Sequence, residues 1–281
     1  MNLYSIRTIL VPVDMSEAAL NAIETAVSLA KKFSAKLYLL YVSELIPGSE
    51  EAGSEPVSAA QVNADVLSAI ASAINHHHKI MPQVLEAEGN VVEAILQTGA
   101  QLQTDLIVMG SHGASGYRDG FIGGTAYHTI KFSHCPVLTI PAGQKVDSFK
   151  KILLPTRPVS NDLSYFELVN DLLPAKAKIE VLGFANRTEK ETQLLEHFVA
   201  GIQQQTGGKG AITNACRGPL SHIPETVLQQ LASSKPDLLI ITSVLDSVVK
   251  PYYIGPYAQK IIHLAKVPIL TIKKVAVPAY A

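Results

Sequence analysis

The sequence has 281 residues, 47% hydrophobic and 17% charged, a balance typical of a globular protein with buried cores rather than a disordered or fibrous chain. Lys and Arg number 23 against 24 Asp and Glu, so no overall charge favours nucleic acid or an anionic membrane as a partner. The first apolar run is too short for a secretory signal and no segment approaches the ~20 apolar residues of a membrane span, which favours a cytoplasmic location.

Short apolar runs alternate with segments of helical period along the first half of the chain. Residues 8–13 predict a strand, Ser16 suits the cap of the helix that follows, and residues 36–42 predict a second strand. Further strands are predicted at residues 80–87, 105–111 and 136–141, with helices ending near residue 78 and spanning 91–102 and 124–134. This alternation predicts a parallel sheet, in which ligands bind beyond the carboxyl ends of the strands where the strand order reverses.

The second half repeats the first. An offset of 132 residues aligns Pro136 with Pro268 and also aligns Asp105 with Asp237. We therefore predict an α/β chain of two tandem domains, residues 1–146 and 147–281, each a five-stranded parallel sheet flanked by helices. The closing strands PVLTIP and PILTIK are expected to pair the two domains, because apolar edge strands need cover.

A glycine-rich loop follows the strand predicted at residues 105–111. Its glycines are Gly110, Gly113, Gly116, Gly120, Gly123 and Gly124. Residues without a Cβ let backbone N–H groups approach a ligand, and the helix beginning near Gly124 turns its positive dipole end towards the loop, which favours an anion such as phosphate. The spacing matches neither the P-loop nor the dinucleotide fingerprint, so a mobile connector is the alternative.

The spacing of Gly110, Gly113 and Gly123 is similar to the G-2x-G-9x-G-S/T signature of nucleotide-binding universal stress proteins. The stretch ILVPVDMSEAALNAIETAVSLAKKFSAKLYLLYV resembles that family's opening strand, helix and strand, and HCPVLTIP resembles its closing strand. The resemblance covers nearly the whole chain, as in the tandem members of the family. It implies two Rossmann-like domains of the adenine nucleotide alpha hydrolase type.

The resemblance also implies a ligand, ATP or ADP, with or without Mg²⁺ or Mn²⁺, in the first domain. The residues implied near the adenine and ribose are Pro12, Val13, Asp14 and the backbone around Val42. Those bordering the ribose and phosphates are Met109, Gly110, His112 and Gly113, while Gly123, Gly124 and Thr125 donate N–H groups to the phosphates. Gly124 departs from the signature, since the family has Ser or Thr there, and one hydroxyl contact is lost. No catalytic or metal-ligating side chain is implied.

The second domain departs further from the same pattern. Arg157 replaces the counterpart of Asp14, Thr242 and Leu245 replace the first two signature glycines, and Pro256, which lacks an N–H, follows Gly255. We expect a degenerate domain whose role is to pair with the first as an internal pseudo-dimer, with a further homodimer left open.

Other conspicuous residues have plainer interpretations. The run His76–His78 is expected at a solvated helix end, because adjacent helical side chains cannot converge on one metal ion. Cys135 and Cys216 are expected to be buried thiols without a disulfide. The predicted function is a stress-response module regulated by nucleotide and not a dedicated enzyme; the alternatives are a scaffold of the same fold that binds no nucleotide, and a weak ATPase.

Overall fold

One continuous sheet runs through the described chain, with helices packed on both of its faces. The computed structural model describes residues 6–43, 59–113, 122–144, 146, 148–157, 163, 165–174, 177–185, 188–206, 211–212, 216–218, 222–242, 245 and 254–273. The sheet order is β3-β2-β1-β4-β5-β11-β10-β6-β7-β8, with β9 also paired to β7.

The first half contributes five parallel strands to one end of this sheet. They are β1 (Thr8–Pro12), β2 (Lys36–Ser43), β3 (Gln83–Glu88), β4 (Leu106–Gly110) and β5 (Val137–Ile140), and the helices are α1 (Glu17–Phe33), α2 (Ala59–His78), α3 (Val91–Gln101) and α4 (Gly124–Phe132). These bounds lie close to the predicted ones. The strand order reverses between β1 and β4, and ligands bind at such a reversal in open α/β sheets.

The second half repeats this order with one difference in its outermost strand. Its strands are β6 (Lys151–Thr156), β7 (Lys178–Phe184), β8 (Ala211–Ile212), β9 (Cys216–Gly218), β10 (Leu238–Thr242) and β11 (Ile269–Ile272), and its helices are α5 (Phe166–Leu172), α6 (Glu189–Gln205), α7 (Ile223–Ser234) and α8 (Pro256–Leu264). The α/β fold with a mostly parallel sheet is confirmed. In place of β3, the second half has two short strands, β8 and β9, both paired parallel with β7.

The closing strands of the two halves pair with each other, as the sequence predicts. β5 and β11 run antiparallel, with Leu138 opposite Leu270 and Thr139 opposite Ile269. Both strands are buried along their whole length. The pairing removes two apolar edges at once and makes the sheet continuous.

The aspartates aligned by the repeat have the same structural role in both halves. Asp105 Oδ2 accepts hydrogen bonds from the backbone N–H groups of Arg7 (2.8 Å) and Thr8 (2.9 Å) at the start of β1. Asp237 Oδ2 accepts two successive N–H groups at the start of β6, at 3.0 and 2.9 Å. Asp105 comes just before β4 and Asp237 just before β10, so each carboxylate ties the start of the first strand of its half to the start of the neighbouring strand.

Side chains of α4 and the second half meet across the seam between β5 and β11. The ring of Tyr127 stacks on that of His263 of α8, with centroids 5.1 Å apart. Lys273, which is buried, donates from Nζ to the carbonyl oxygen of Lys131 at the end of α4 (3.1 Å). Burial lowers the pKa of Lys273 to about 8.

Cys135 is a free, buried thiol, as predicted, and burial raises its pKa to about 11. The side chain of Cys216 lies outside the described residues. None of the helices that the structure describes is both long enough and apolar enough to span a bilayer.

Candidate functional site

The loops that follow β1 and β4 lie side by side at the carboxyl edge of the first half. The two strands are neighbours, with Ile9 opposite Leu106. The hydroxyl of Ser16, after β1, lies 3.5 Å from the carbonyl oxygen of His112, after β4. The backbone N–H of Gly123 donates to the carbonyl oxygen of Ser111 (2.8 Å), which brings the start of α4 to the same place. Three segments distant in sequence thus form one edge.

Asp14 is exposed at this edge, and its carboxylate is held by a local turn. Oδ1 accepts the backbone N–H of Ser16 at 3.1 Å and its hydroxyl at 2.6 Å. Met15, between them, has a φ of 61°. Ser16 also caps α1, accepting the N–H of Ala19 at 3.2 Å. Sequence reasoning assigned Ser16 only the cap; the spacing Asp-x-Ser, which allows an Asx-type turn, was the available signal for its second role.

The three signature glycines have different surroundings. A Cβ on Gly110 would lie 2.9 Å from the Cβ of Ala18 and 3.0 Å from the backbone N of Ala19, so glycine is needed there for β4 to pack on α1. A Cβ on Gly113 would lie 2.8 Å from Asp14 Oδ2. Only Gly113 is therefore in contact with the exposed carboxylate, while Gly110 serves the packing beneath it.

The start of α4 has no side-chain cap. Gly124 and Thr125 open the helix and are exposed, and N–H groups in a first helical turn have no acceptor within the helix. The N–H of Gly123, predicted as a third donor, is already bonded to Ser111 in this structure. A Cβ on Gly124 meets nothing within 4 Å, so the Ser or Thr of the signature would fit.

Several of the predicted site residues are buried in the sheet. The side chains of Pro12, Val13 and Met109 are buried, and the N–H of Val13 donates to the carbonyl of Leu40 (2.8 Å). Val42 is half-buried near the end of β2. The side chains of Pro12, Val13 and Met109 therefore build the floor of the edge rather than its surface.

His112 is half-buried, and its Nδ1 lies 2.7 Å from the hydroxyl of Ser111. Ser111, whose carbonyl receives Gly123 and whose side chain meets the imidazole, was not singled out by sequence reasoning. The middle of the glycine loop, with Gly116 and Gly120, lies outside the described residues. Within the described part of the chain, no three His, Cys, Asp or Glu side chains come together as metal ligands, and the run His76–His78 is exposed at the end of α2.

The corresponding edge of the second half has other residues. Arg157, which follows β6, is half-buried, and Thr242 ends β10. Leu245 is fully buried, and Pro256 is the first residue of α8. Two consecutive tyrosines of this loop, residues 252 and 253, lie outside the described residues.

Comparisons of the sequence and of the structure show which known proteins this chain resembles. The model of the universal stress protein family matches residues 5–141. A universal stress protein of Methanocaldococcus jannaschii is 32% identical over 152 residues, which are 51% of this chain and 86% of that protein. One of Synechocystis is 30% identical over 135 residues, 48% of this chain and 85% of its own length. The structure of a universal stress protein from Archaeoglobus fulgidus covers 96% of this chain and 97% of its own, with a TM-score of 0.71 at 17% identity, a likeness of fold that spans both halves.

Proposed function

We propose a function from the premise that this chain belongs to the universal stress protein family. The chain is a cytoplasmic stress-response protein whose first domain, residues 1–146, binds ATP or ADP. The second domain, residues 147–281, completes an internal pseudo-dimer. The output is regulatory or associative: nucleotide occupancy changes what the protein associates with.

The contact between Gly113 and Asp14 is the observation that carries this proposal. A side chain at residue 113 would collide with Asp14 Oδ2 at 2.8 Å, so the exposed carboxylate and the glycine backbone lie within reach of one ligand. They do so where the strand order reverses, beside the uncapped start of α4. This arrangement suits a molecule with hydroxyls at one end and phosphates at the other.

The roles of the residues follow from their surroundings. Asp14 accepts hydrogen bonds from ribose hydroxyls, because its Oδ1 is already oriented by Ser16 and its Oδ2 faces Gly113. The N–H groups of Gly124 and Thr125 donate to phosphate oxygens, assisted by the dipole of α4. The base lies beside the ends of β1 and β2, near Val42. A divalent ion, where present, enters with the phosphates.

Calorimetric titration with ATP tests the proposal, together with identification of small molecules released from the heat-denatured protein. Gly113→Val is expected to weaken binding at least tenfold, which corresponds to about 1.4 kcal/mol. Gly124→Ser is the matched control, because the position has room for a side chain and the hydroxyl of the family signature is restored. It is expected to bind about fivefold more tightly, the effect of one hydrogen bond of about 1 kcal/mol.

The absence of both copurified nucleotide and saturable binding at millimolar ATP would overturn the proposal in favour of a scaffold without nucleotide. Sustained ATP turnover by the wild type, abolished in Gly113→Val, would overturn the assignment as a binding module and make the protein an ATPase.

A further inference from the structure

Two threonines end neighbouring strands at the point where the strand order of the second half reverses. Thr156 is the last residue of β6 and Thr242 the last residue of β10. The parallel register pairs Leu153 with Leu239, and carrying it forward places Thr156 opposite Thr242. Register partners in parallel strands share a face, so the two side chains lie on the same face of adjacent strands.

Both hydroxyls are buried and have no hydrogen-bond partner. The exposed fraction of Thr156 is 0% and that of Thr242 is 3%, and neither Oγ1 forms a hydrogen bond with the described residues, the other threonine included. Buried polar groups are nearly always hydrogen-bonded, and one that is not calls for an explanation, such as a bound molecule. Because the two hydroxyls without partners lie at the same level of adjacent strands, a single bound group would account for both.

Other orphaned hydroxyls in the described chain lack this arrangement. Thr129 lies within α4, Thr104 in the turn before β4, and Ser234 at the end of α7. Thr271 is on β11, next to β10, but lies opposite Ile241 and therefore on the other face of the sheet from Thr242. Only the pair at the strand reversal lies where open α/β sheets bind ligands.

Arg157 supplies the charge at this edge. It directly follows Thr156, is half-buried, and forms no ion pair with any residue in the part of the chain that the structure describes. The first half has Asp14 at this position, so the charge at the reversal is inverted. A guanidinium offers several N–H donors in a planar fork that matches a carboxylate or phosphate group. An anionic ligand is therefore favoured where the first half favours hydroxyls.

The counterparts of the two threonines explain why the halves differ. Thr156 stands where the first half has Val13, and Thr242 where it has Gly110. Gly110 is packed against the first turn of α1, whereas α5 begins at Phe166, ten residues after Thr156. α1 begins four residues after Val13, the counterpart of Thr156. The second half thus has threonine hydroxyls at positions where the first half has Val13 and Gly110, the latter packed on α1.

We propose that the second half binds a small molecule through an oxyanion group, a carboxylate or a phosphate, which accepts hydrogen bonds from the hydroxyls of Thr156 and Thr242 and from Arg157. This site is separate from the nucleotide site of the first half and does not depend on it. In the second half, the loss of the signature glycines and of the aspartate thus replaces a nucleotide ligand with an anionic one.

Thermal unfolding of the full chain, with inorganic phosphate or succinate as the probe and sodium chloride at equal ionic strength as reference, tests the proposal. The melting temperature of the wild type is expected to rise saturably with one probe, which separates a phosphate site from a carboxylate site. The rise is expected to vanish in the double variant Thr156→Val, Thr242→Val and in Arg157→Gln. Without a probe, the valine variant should melt at or above the wild-type temperature, because it removes hydroxyls that have no partner.

Phosphate bound at α4 of the first half is excluded as the source of the rise by the second-half variants, because α4 is unchanged in them and the rise should nevertheless vanish. ATP titration of the double valine variant should be unchanged, so that failure of this site and failure of the nucleotide site are distinguished. The proposal is overturned if neither probe raises the melting temperature, if the rise persists in the valine variant, or if the valine variant without a probe melts below the wild type, since the hydroxyls would then be bonded in the free protein.

Discussion

Replacement of Gly110 by Ala is expected to destabilise the protein although it adds a single methyl group. The new Cβ would lie 2.9 Å from the Cβ of Ala18 and 3.0 Å from the backbone N of Ala19. Carbon atoms in good contact are about 3.5–4.0 Å apart, so β4 and the first turn of α1 must separate by roughly half an ångström or more. Overpacking of this kind costs about 1–3 kcal/mol, and each 1 kcal/mol lowers the melting temperature by roughly 2–4 °C in a chain of this size class.

Equilibrium unfolding in urea measures this cost, with Gly124→Ala as the matched control. A Cβ on Gly124 meets nothing within 4 Å, and the residue begins α4, so alanine there should leave the free energy of unfolding unchanged or raise it by about 0.5–1 kcal/mol. An unfolding free energy of Gly110→Ala equal to that of the wild type, or equal losses in both variants, would refute the conclusion that packing on α1 requires the first signature glycine.

Four other residues give predictions of stability and reactivity. Asp105→Ala and Asp237→Ala should each lower the free energy of unfolding by about 1–3 kcal/mol, because each leaves two backbone N–H groups without their acceptor; urea unfolding measures this, and a loss in only one variant would contradict the equivalence of the two carboxylates. Burial lowers the pKa of Lys273 to about 8 from 10.5, so between these pH values the unfolded chain binds more protons and the free energy of unfolding of the wild type rises with pH. The stability gain of Lys273→Met over the wild type should therefore be largest below pH 8 and shrink up to pH 10.5. Unfolding free energies of the two proteins that change in parallel with pH would contradict this. Cys135, whose pKa is raised to about 11 by burial, should resist thiol reagents at pH 8 in a Cys216→Ser background until the protein is unfolded in urea, and rapid labelling of the folded protein would show that the thiol is accessible.

Local patterns in the sequence predicted the strands of the first half and the pairing of the two closing strands, although not the two short strands β8 and β9. The alternation of β-branched runs and helical periods gives the strands, Ser16 gives the start of α1, and the two closing strands give the seam. These features depend on residues close in sequence, or on the repeat itself. They are therefore visible without the structure.

The surroundings of the glycines could not be predicted in the same way. The spacing of the signature is equally compatible with a glycine that approaches a ligand and one that approaches a helix, and Gly110 is the second kind. The bond from Gly123 to Ser111 joins residues across the glycine loop, and no local pattern predicts it. The same is true of Thr156 and Thr242, whose adjacency arises from strand register across the sheet.

The antiparallel seam between β5 and β11 has a geometric consequence for the two edges where strand order reverses. Because all the other pairings are parallel, the two sets of strands run in opposite directions, and their carboxyl ends open on opposite margins of one sheet. Four strand spacings of about 4.8 Å, roughly 19 Å, also separate the two reversals sideways. A small ligand bound at one of these reversals cannot contact the other. Coupling between the two sites would have to pass through the seam, where the ring of Tyr127 stacks on that of His263 and Lys273 donates a hydrogen bond to the end of α4.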